Sequence, residues 1–233
     1  ASAGTSNFRA GVNAGNSIES GGNYNVAVGD EAGTAITTGD QNVAIGYGAA
    51  TALTTGANTV AIGYLAGDAL TTGENNVAIG KNALGAEDTH DFNIAIGSNA
   101  LAVQNAGADA YNIAIGHNAG TAVTTGPHNT LIGGLAGNDI TTGSENTAVG
   151  KSALEANTTA ASNTAVGFKS LFANTTGASN TSLGESALRA NTTASNNTAV
   201  GKSALLVNTT GSENVAVGTS ALAANTTADS NTA

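Results

Sequence analysis

The chain has 233 residues, of which 32 are glycine and only one is proline, and it contains no cysteine, methionine or tryptophan. Its net charge of −10 excludes nucleic acid as an expected partner, because the phosphate backbone would be repelled. The apolar 40% is mostly Ala, Val, Ile and Leu, which suits a thin, regularly stacked interior better than a conventional globular core. No run of 18 apolar residues occurs, so we expect no membrane insertion by this segment.

A short motif recurs along the whole chain. Asn7-Phe8-Arg9-Ala10-Gly11 is a degenerate first copy, within an irregular first coil over residues 1–20. The full motif is Asn-[Val/Ile/Thr]-Ala-[Val/Ile]-Gly, and Asn231-Thr232-Ala233 begins a last copy. The motif glycine returns at every seventeenth position, with one longer interval between the fifth and sixth copies: Gly29, Gly46, Gly63, Gly80, Gly97, Gly116, Gly133, Gly150, Gly167, Gly184, Gly201 and Gly218. We therefore expect a single repeat domain over residues 1–233.

Each motif predicts a short strand. Val43-Ala44-Ile45 and Ile113-Ala114-Ile115 place β-branched residues on either side of a small one, and a glycine follows. Seventeen residues are too few for a strand, a crossover helix and a return, but they fit one coil of a solenoid. The sequence therefore predicts an all-β fold, a parallel β-solenoid of about thirteen 17-residue coils that stack in register.

Stacking explains why particular residues recur. The Asn four places before each motif glycine is replaced once, by Thr59, and stacked amides can bond to one another along the axis. The glycine either turns a corner at positive φ or lets two backbones approach closely. These structural ladders are typified by Asn42, Gly46, Asn76, Gly80, Asn146 and Gly150.

A compensation between two positions indicates a packed interior. Where the fourth residue after the glycine is small, as in Gly120, the seventh is aliphatic, as in Val123. Where the fourth is Leu, as in Leu154, the seventh is polar, as in Asn157. Each coil thus supplies one large apolar side chain to one space, which conserves volume.

The strands are apolar on both sides, although a thin coil can bury only one of them. We expect Val and Ile to fill the coil and the Ala row, which includes Ala61 and Ala78, to face neighbouring copies. A lone solenoid would expose that apolar stripe, so the pattern predicts side-by-side association, with three-fold symmetry suited to a fibre.

Residues 84–111 form the irregular middle of the chain. Glu87, Asp88, His90 and Asp91 replace the usual Thr-Thr-Gly corner, and the next coil carries a two-residue insertion with Asp109. Carboxylates close to a histidine could bind a cation. A solvated acidic loop is the simpler interpretation.

Aromatic residues recur five places before the glycine. Phe92, Tyr111 and His128 take this position on three successive coils, where stacked rings could form a sugar-binding platform. The simpler interpretation is that they shield the bulged corner. The repeated Asn-Thr-Thr segments match the glycosylation sequon, although turn chemistry alone explains their repetition.

No residue pattern indicates catalysis. The three histidines have no Cys partner, no His-Glu-x-x-His spacing and no triad context. We therefore expect a protein that is not an enzyme and needs no cofactor.

The motif Asn42-Val43-Ala44-Ile45-Gly46 resembles the repeat of trimeric autotransporter adhesin heads of the YadA type. The longer pattern Asn-Thr-Ala-Val-Gly-Lys-Ser-Ala-Leu-x-x-Asn-Thr-Thr, which starts at Asn146 and at Asn197, resembles repeats of phage and bacterial tail-fibre-like proteins. The resemblance implies a left-handed parallel β-roll, a homotrimer, and an extracellular, cell-surface or virion fibre. The adhesin repeat is usually shorter than the repeat of this chain, so the coil cross-section is expected to differ.

The function expected from these observations is a shaft or head segment that displays or spaces a receptor-binding element, with a cell-surface glycan or protein as receptor. The alternatives are a carbohydrate-binding module and an ice-binding solenoid. Ice binding requires a flat surface of paired Thr rows, whereas adjacent corner residues such as Thr54 and Thr55 have diverging side chains.

Overall fold

The computed structural model describes residues 4–233 and contains two compact units, Ala1–Asn112 and Ile113–Ala233. Every strand has three residues, and turns and bends connect the strands. The first unit contains β1 (Phe8–Ala10), β2 (Val26–Val28), β3 (Val43–Ile45), β4 (Val60–Ile62), β5 (Val77–Ile79) and β6 (Ile94–Ile96). The second contains β7 (Ile113–Ile115), β8 (Thr130–Ile132), β9 (Thr147–Val149), β10 (Thr164–Val166), β11 (Thr181–Leu183), β12 (Thr198–Val200) and β13 (Val215–Val217).

Successive strands within each unit pair in parallel, and each residue lies opposite its equivalent one coil later. Val43 pairs with Val60 in the first unit, and Thr164 pairs with Thr181 in the second. The final partial copy adds a bridge between Val215 and Thr232. The predicted all-β parallel β-solenoid, with about thirteen coils and one 17-residue repeat per coil, is confirmed.

The motif glycines form the corner that follows each strand. Gly46, Gly80 and Gly150 have φ values of +126°, +130° and +132°, a backbone conformation that side chains with a Cβ rarely adopt. A Cβ at Gly46 would also lie 2.5 Å from the carbonyl oxygen of Gly63 in the next coil. Both predicted reasons for the glycine therefore apply, since positive φ and close backbone approach occur at the same residue.

The core is a column of small residues and, in most coils, one large aliphatic side chain. The large residue is fully buried whether it comes from the fourth or the seventh place after the glycine, which confirms the predicted compensation. These residues are Ile36, Leu53, Leu70, Leu84, Leu101, Val123, Ile140, Leu154, Leu171, Leu188 and Leu205. A Cβ at Gly67 would lie 2.9 Å from Leu70 and within 3.7 Å of Ala61 and Ala78, so these side chains meet inside the coil.

The expected direction of the strand side chains is wrong. Ala61 and Ala78, like the equivalent alanines of the other motifs, are fully buried inside the coil, while the flanking residues of each strand face outward. The physical reason is the thinness of the coil, in which Leu70 already occupies the space behind the strand. Small residues therefore take the inner position in most coils, while Val and Ile take the outer side. Leu131 is the exception, since it is fully buried at the same position, beside Gly137.

The asparagine ladders bind the coils together. The backbone N–H of Thr59 donates to Asn42 Oδ1 (2.9 Å), and Asn42 Nδ2 donates to the carbonyl of Gly56 (2.8 Å). In the second unit Asn146 Nδ2 also donates to Asn129 Oδ1 (3.1 Å), which is the predicted amide-to-amide bond.

The Asn-Thr-Thr segments build a second ladder inside the second unit. Asn174 is fully buried, and its Nδ2 donates to Asn157 Oδ1 (3.0 Å) and to the carbonyl of Gly177 (2.9 Å). The asparagine thus caps its turn, as turn chemistry predicts, and also bonds to the preceding coil. The nitrogen that glycosylation would modify is therefore enclosed and engaged in the fold.

Candidate functional site

Glu87 is the centre of the irregular corner in the first unit. It takes the repeat position of inward-facing Leu70, so its side chain is fully buried, and the expectation of a solvated loop is wrong for this residue. Gln104 Nε2 donates to Glu87 Oε2 (3.0 Å), and the backbone N–H of Asp88 donates to Oε1 (3.2 Å). His90 Nδ1 lies 2.8 Å from the same Oε1. These contacts satisfy both carboxyl oxygens, as a buried polar group requires.

Three of the five predicted metal ligands come together. Possible ligand atoms of Glu87, Asp88 and His90 lie within 4.8 Å of one another. Asp91 and Asp109 bond elsewhere, because their carboxylates accept the backbone N–H groups of Glu74 (2.6 Å) and Asp91 (3.2 Å), respectively. A cation at this corner would compete with the hydrogen bonds that Glu87 already accepts. The geometry therefore accounts for the cluster as a structural corner.

Phe92 and Tyr111 form the predicted aromatic stack. Their ring centroids are 5.1 Å apart, their planes differ by 6°, and the residues are 41% and 50% exposed. Both have positive φ, at the corner before the strand. His128 has the same backbone conformation and belongs to the second unit. The first unit thus presents two parallel rings to solvent, an arrangement suited to the C–H face of a sugar.

A second aromatic pair is not among the residues predicted from the sequence. Tyr47 and Tyr64, each directly after a motif glycine, stack with centroids 5.5 Å apart and planes 14° from parallel. The residues are 53% and 50% exposed. Their separation by one full repeat is the signal that could have found them, since equal positions stack in a solenoid.

The outward side of the strands is the most regular surface feature, and we call its first and third strand residues the sheet face. In the first unit, from β2 to β6, both rows of the sheet face consist of Val and Ile, half-buried or exposed. In the second unit the third residue stays aliphatic, while Thr takes the first position from β8 to β12. Leu183 is 46% exposed and Val217 61% exposed.

These observations define a parallel β-solenoid repeat protein with an unpartnered aliphatic sheet face. No family model matches the chain, and no curated protein or solved structure matches it either. Within residues 4–233, no helix is long and apolar enough to cross a membrane.

Proposed function

We propose that this chain is a structural and adhesive segment of an extracellular or virion surface fibre, in which three parallel copies associate through the sheet face. The single observation that carries the proposal is the sheet face itself. The fibre setting and the three-fold symmetry come from the resemblance to adhesin heads and tail fibres.

The regular spacing of the sheet face supports self-association. With strands about 4.8 Å apart and about 3.3 Å per residue, the six strands of the first unit cover roughly 29 by 10 Å, or about 300 Å². The seven strands of the second unit cover slightly more by the same spacings. A soluble monomer's largest apolar patch is typically about 300–600 Å² and is often functional. A second copy has the same repeat spacing, so it can match these rows strand by strand.

Two double variants within the same coils test the interface. Ile62→Glu with Ile79→Glu charges the sheet face, whereas Thr55→Glu with Thr72→Glu charges an exposed corner. We expect the first variant to sediment as a monomer with a β-type circular-dichroism spectrum, and the second to stay assembled. Equal assembly of both variants would refute the interface.

A disulfide experiment provides a second test of the interface that does not depend on charge. Because the chain has no cysteine, Ile62→Cys introduces one thiol per copy. In a parallel in-register assembly identical residues approach one another, so oxidation should link two chains through this position. The exposed corner variant Thr55→Cys is the matched control and should remain unlinked.

A carbohydrate-binding module is the second candidate function, and the exposed Phe92–Tyr111 stack favours it. Parallel exposed rings match the apolar face of a pyranose. Glycan-array binding that disappears in Phe92→Ala and in Tyr111→Ala, and survives in Tyr47→Ala, would support this candidate. Unchanged array binding in both variants would eliminate the stack as its site.

A further inference from the structure

The second unit carries a groove on a part of the coil that contributes no residue to the sheet face. Its volume is about 380 Å³, within the size range of ligand sites. Three successive coils each contribute two adjacent residues, the fifth and sixth after the motif glycine. The lining residues are Phe172, Ala173, Arg189, Ala190, Leu206 and Val207.

The groove departs from the repeat in a way that stacking does not require. Phe172, Arg189 and Leu206 occupy the fifth position on consecutive coils. Elsewhere that position is short or polar: Thr34, Thr51, Asp68, Gly85, Ala102, Thr121, Asn138, Glu155 and Ala223. The side chains at this position are half-buried or exposed, so bulk there adds nothing to the column of buried leucines. Because equal positions stack, three unusual residues in a row create one continuous surface.

The charge of the groove is opposite to that of the chain. The chain has 16 acidic and six basic residues, yet Arg189 lines the groove and Lys169 lies beside it. Lys169 Nζ is 5.5 Å from the ring centroid of Phe168 and 5.1 Å from that of Phe172. Two acidic residues lie in coils at or next to the groove. Glu185 pairs with Lys202, and Glu155 takes the position of Phe172 one coil earlier.

Backbone hydrogen bonding limits what the groove can recognise. The N–H of Ala173 donates to the carbonyl of Arg189 (3.1 Å), and the N–H of Ala190 donates to that of Leu206 (3.2 Å). These groups are therefore occupied by the neighbouring coils, and no strand edge is offered along the groove to an extended peptide. Recognition must rely on side chains. They provide an apolar surface that includes one aromatic ring, with cationic groups beside it.

We propose that this groove binds an acidic saccharide, a uronic-acid unit of a polysaccharide, and that Arg189 holds its carboxylate. The guanidinium matches a carboxylate in a two-point hydrogen bond, and Lys169 adds a second positive charge. Phe172, Leu206 and Val207 face the C–H surface of the sugar ring. The open form of the groove lets a polymer continue past it on either side.

Titration calorimetry with a galacturonic acid tetrasaccharide tests the proposal. We expect binding by the native chain and, because a charge-assisted contact is lost, an affinity about tenfold weaker in Arg189→Gln. Phe172→Ala should also weaken binding. Lys81→Gln removes an exposed cation of the first unit, which contributes no residue to the groove, and should leave the affinity unchanged. The methyl-esterified tetrasaccharide, which lacks the charge, should bind at least as weakly as the acid binds to Arg189→Gln.

Several results would overturn the proposal. They are no detectable binding at about 10 mM ligand, equal binding of the ester, equal affinity of Arg189→Gln and Lys81→Gln, or binding of a tetraglutamate peptide in place of the sugar. The groove lies within one chain, so a monomeric protein that binds the sugar would refute the trimer and leave this inference standing.

Discussion

Replacing a corner glycine by alanine measures how strongly the coil depends on that residue. Gly116 has φ of +140°, and an added Cβ would lie 2.6 Å from both the carbonyl carbon and oxygen of Gly133 in the next coil. The strained backbone costs about 1–3 kcal/mol. The close contact with rigid backbone costs a further ~1–3 kcal/mol. We therefore expect Gly116→Ala to lower the free energy of unfolding by about 2–6 kcal/mol.

Two other glycines of the same unit separate these contributions. Gly218 has the same backbone conformation, at φ +133°, but its nearest neighbour would be 4.0 Å away, so Gly218→Ala should show only the strain, about 1–3 kcal/mol. Gly134 lacks a positive φ, and its nearest neighbour would be 3.9 Å away. Gly134→Ala should be neutral, or stabilise by ~0.4–1 kcal/mol through the unfolded chain.

Urea unfolding followed by circular dichroism measures the three variants under one condition. The expected order of stability is Gly134→Ala, then Gly218→Ala, then Gly116→Ala. If Gly116→Ala is as stable as Gly134→Ala, the coils do not stack as closely as described. If Gly218→Ala alone is neutral, positive φ is not a source of strain at this corner.

Three further substitutions test other parts of the account by the same unfolding measurement. Asn174→Ala should lower the free energy of unfolding by about 1–3 kcal/mol because buried partners lose their hydrogen bonds. If half-buried Asn225→Ala lowers it by as much, the second ladder does not stabilise the fold as described. Glu87→Ala should cost about 1–3 kcal/mol because buried donors lose their acceptor; stabilisation of the native chain by added Ca²⁺ or Zn²⁺ that is lost in this variant would instead indicate a metal site. Burial raises the pKa of Asp68, against the opposing effect of a backbone hydrogen bond, so the fold penalises the ionised form. Asp68→Asn should therefore stabilise at neutral pH, and the gain should vanish as the pH falls below about 3.9; a gain that persists there would contradict the burial argument.

The sequence was sufficient to predict the architecture because every coil of a solenoid carries the same motif. The strands within residues 4–233, their register and the corner glycines all follow from the repeat spacing. The large residue is fourth after the glycine in some coils, as Leu154, and seventh in others, as Val123, and this alternation follows from constant volume. The direction of the strand side chains did not follow. A motif with a small residue between two β-branched ones is apolar on both sides, so only the thinness of the coil decides that Ala61 faces inward.

The candidate sites were harder to predict for a related reason. The charge of Glu87 suggests a solvated corner, whereas its repeat position, equivalent to that of Leu70, determines its burial. The Tyr47–Tyr64 stack and the Phe172 groove are visible in the sequence only as residues at equal repeat positions on successive coils. Alignment of the coils position by position reveals such surfaces, since neighbours in space are one full repeat apart in the chain.

Sedimentation equilibrium of the unmodified, folded chain tests the central claim most directly. A parallel homotrimer predicts three times the chain mass of 22.3 kDa, with no dissociation at micromolar concentration. A folded β-type protein that sediments at 22.3 kDa would contradict the claim that copies of this chain cover the sheet face.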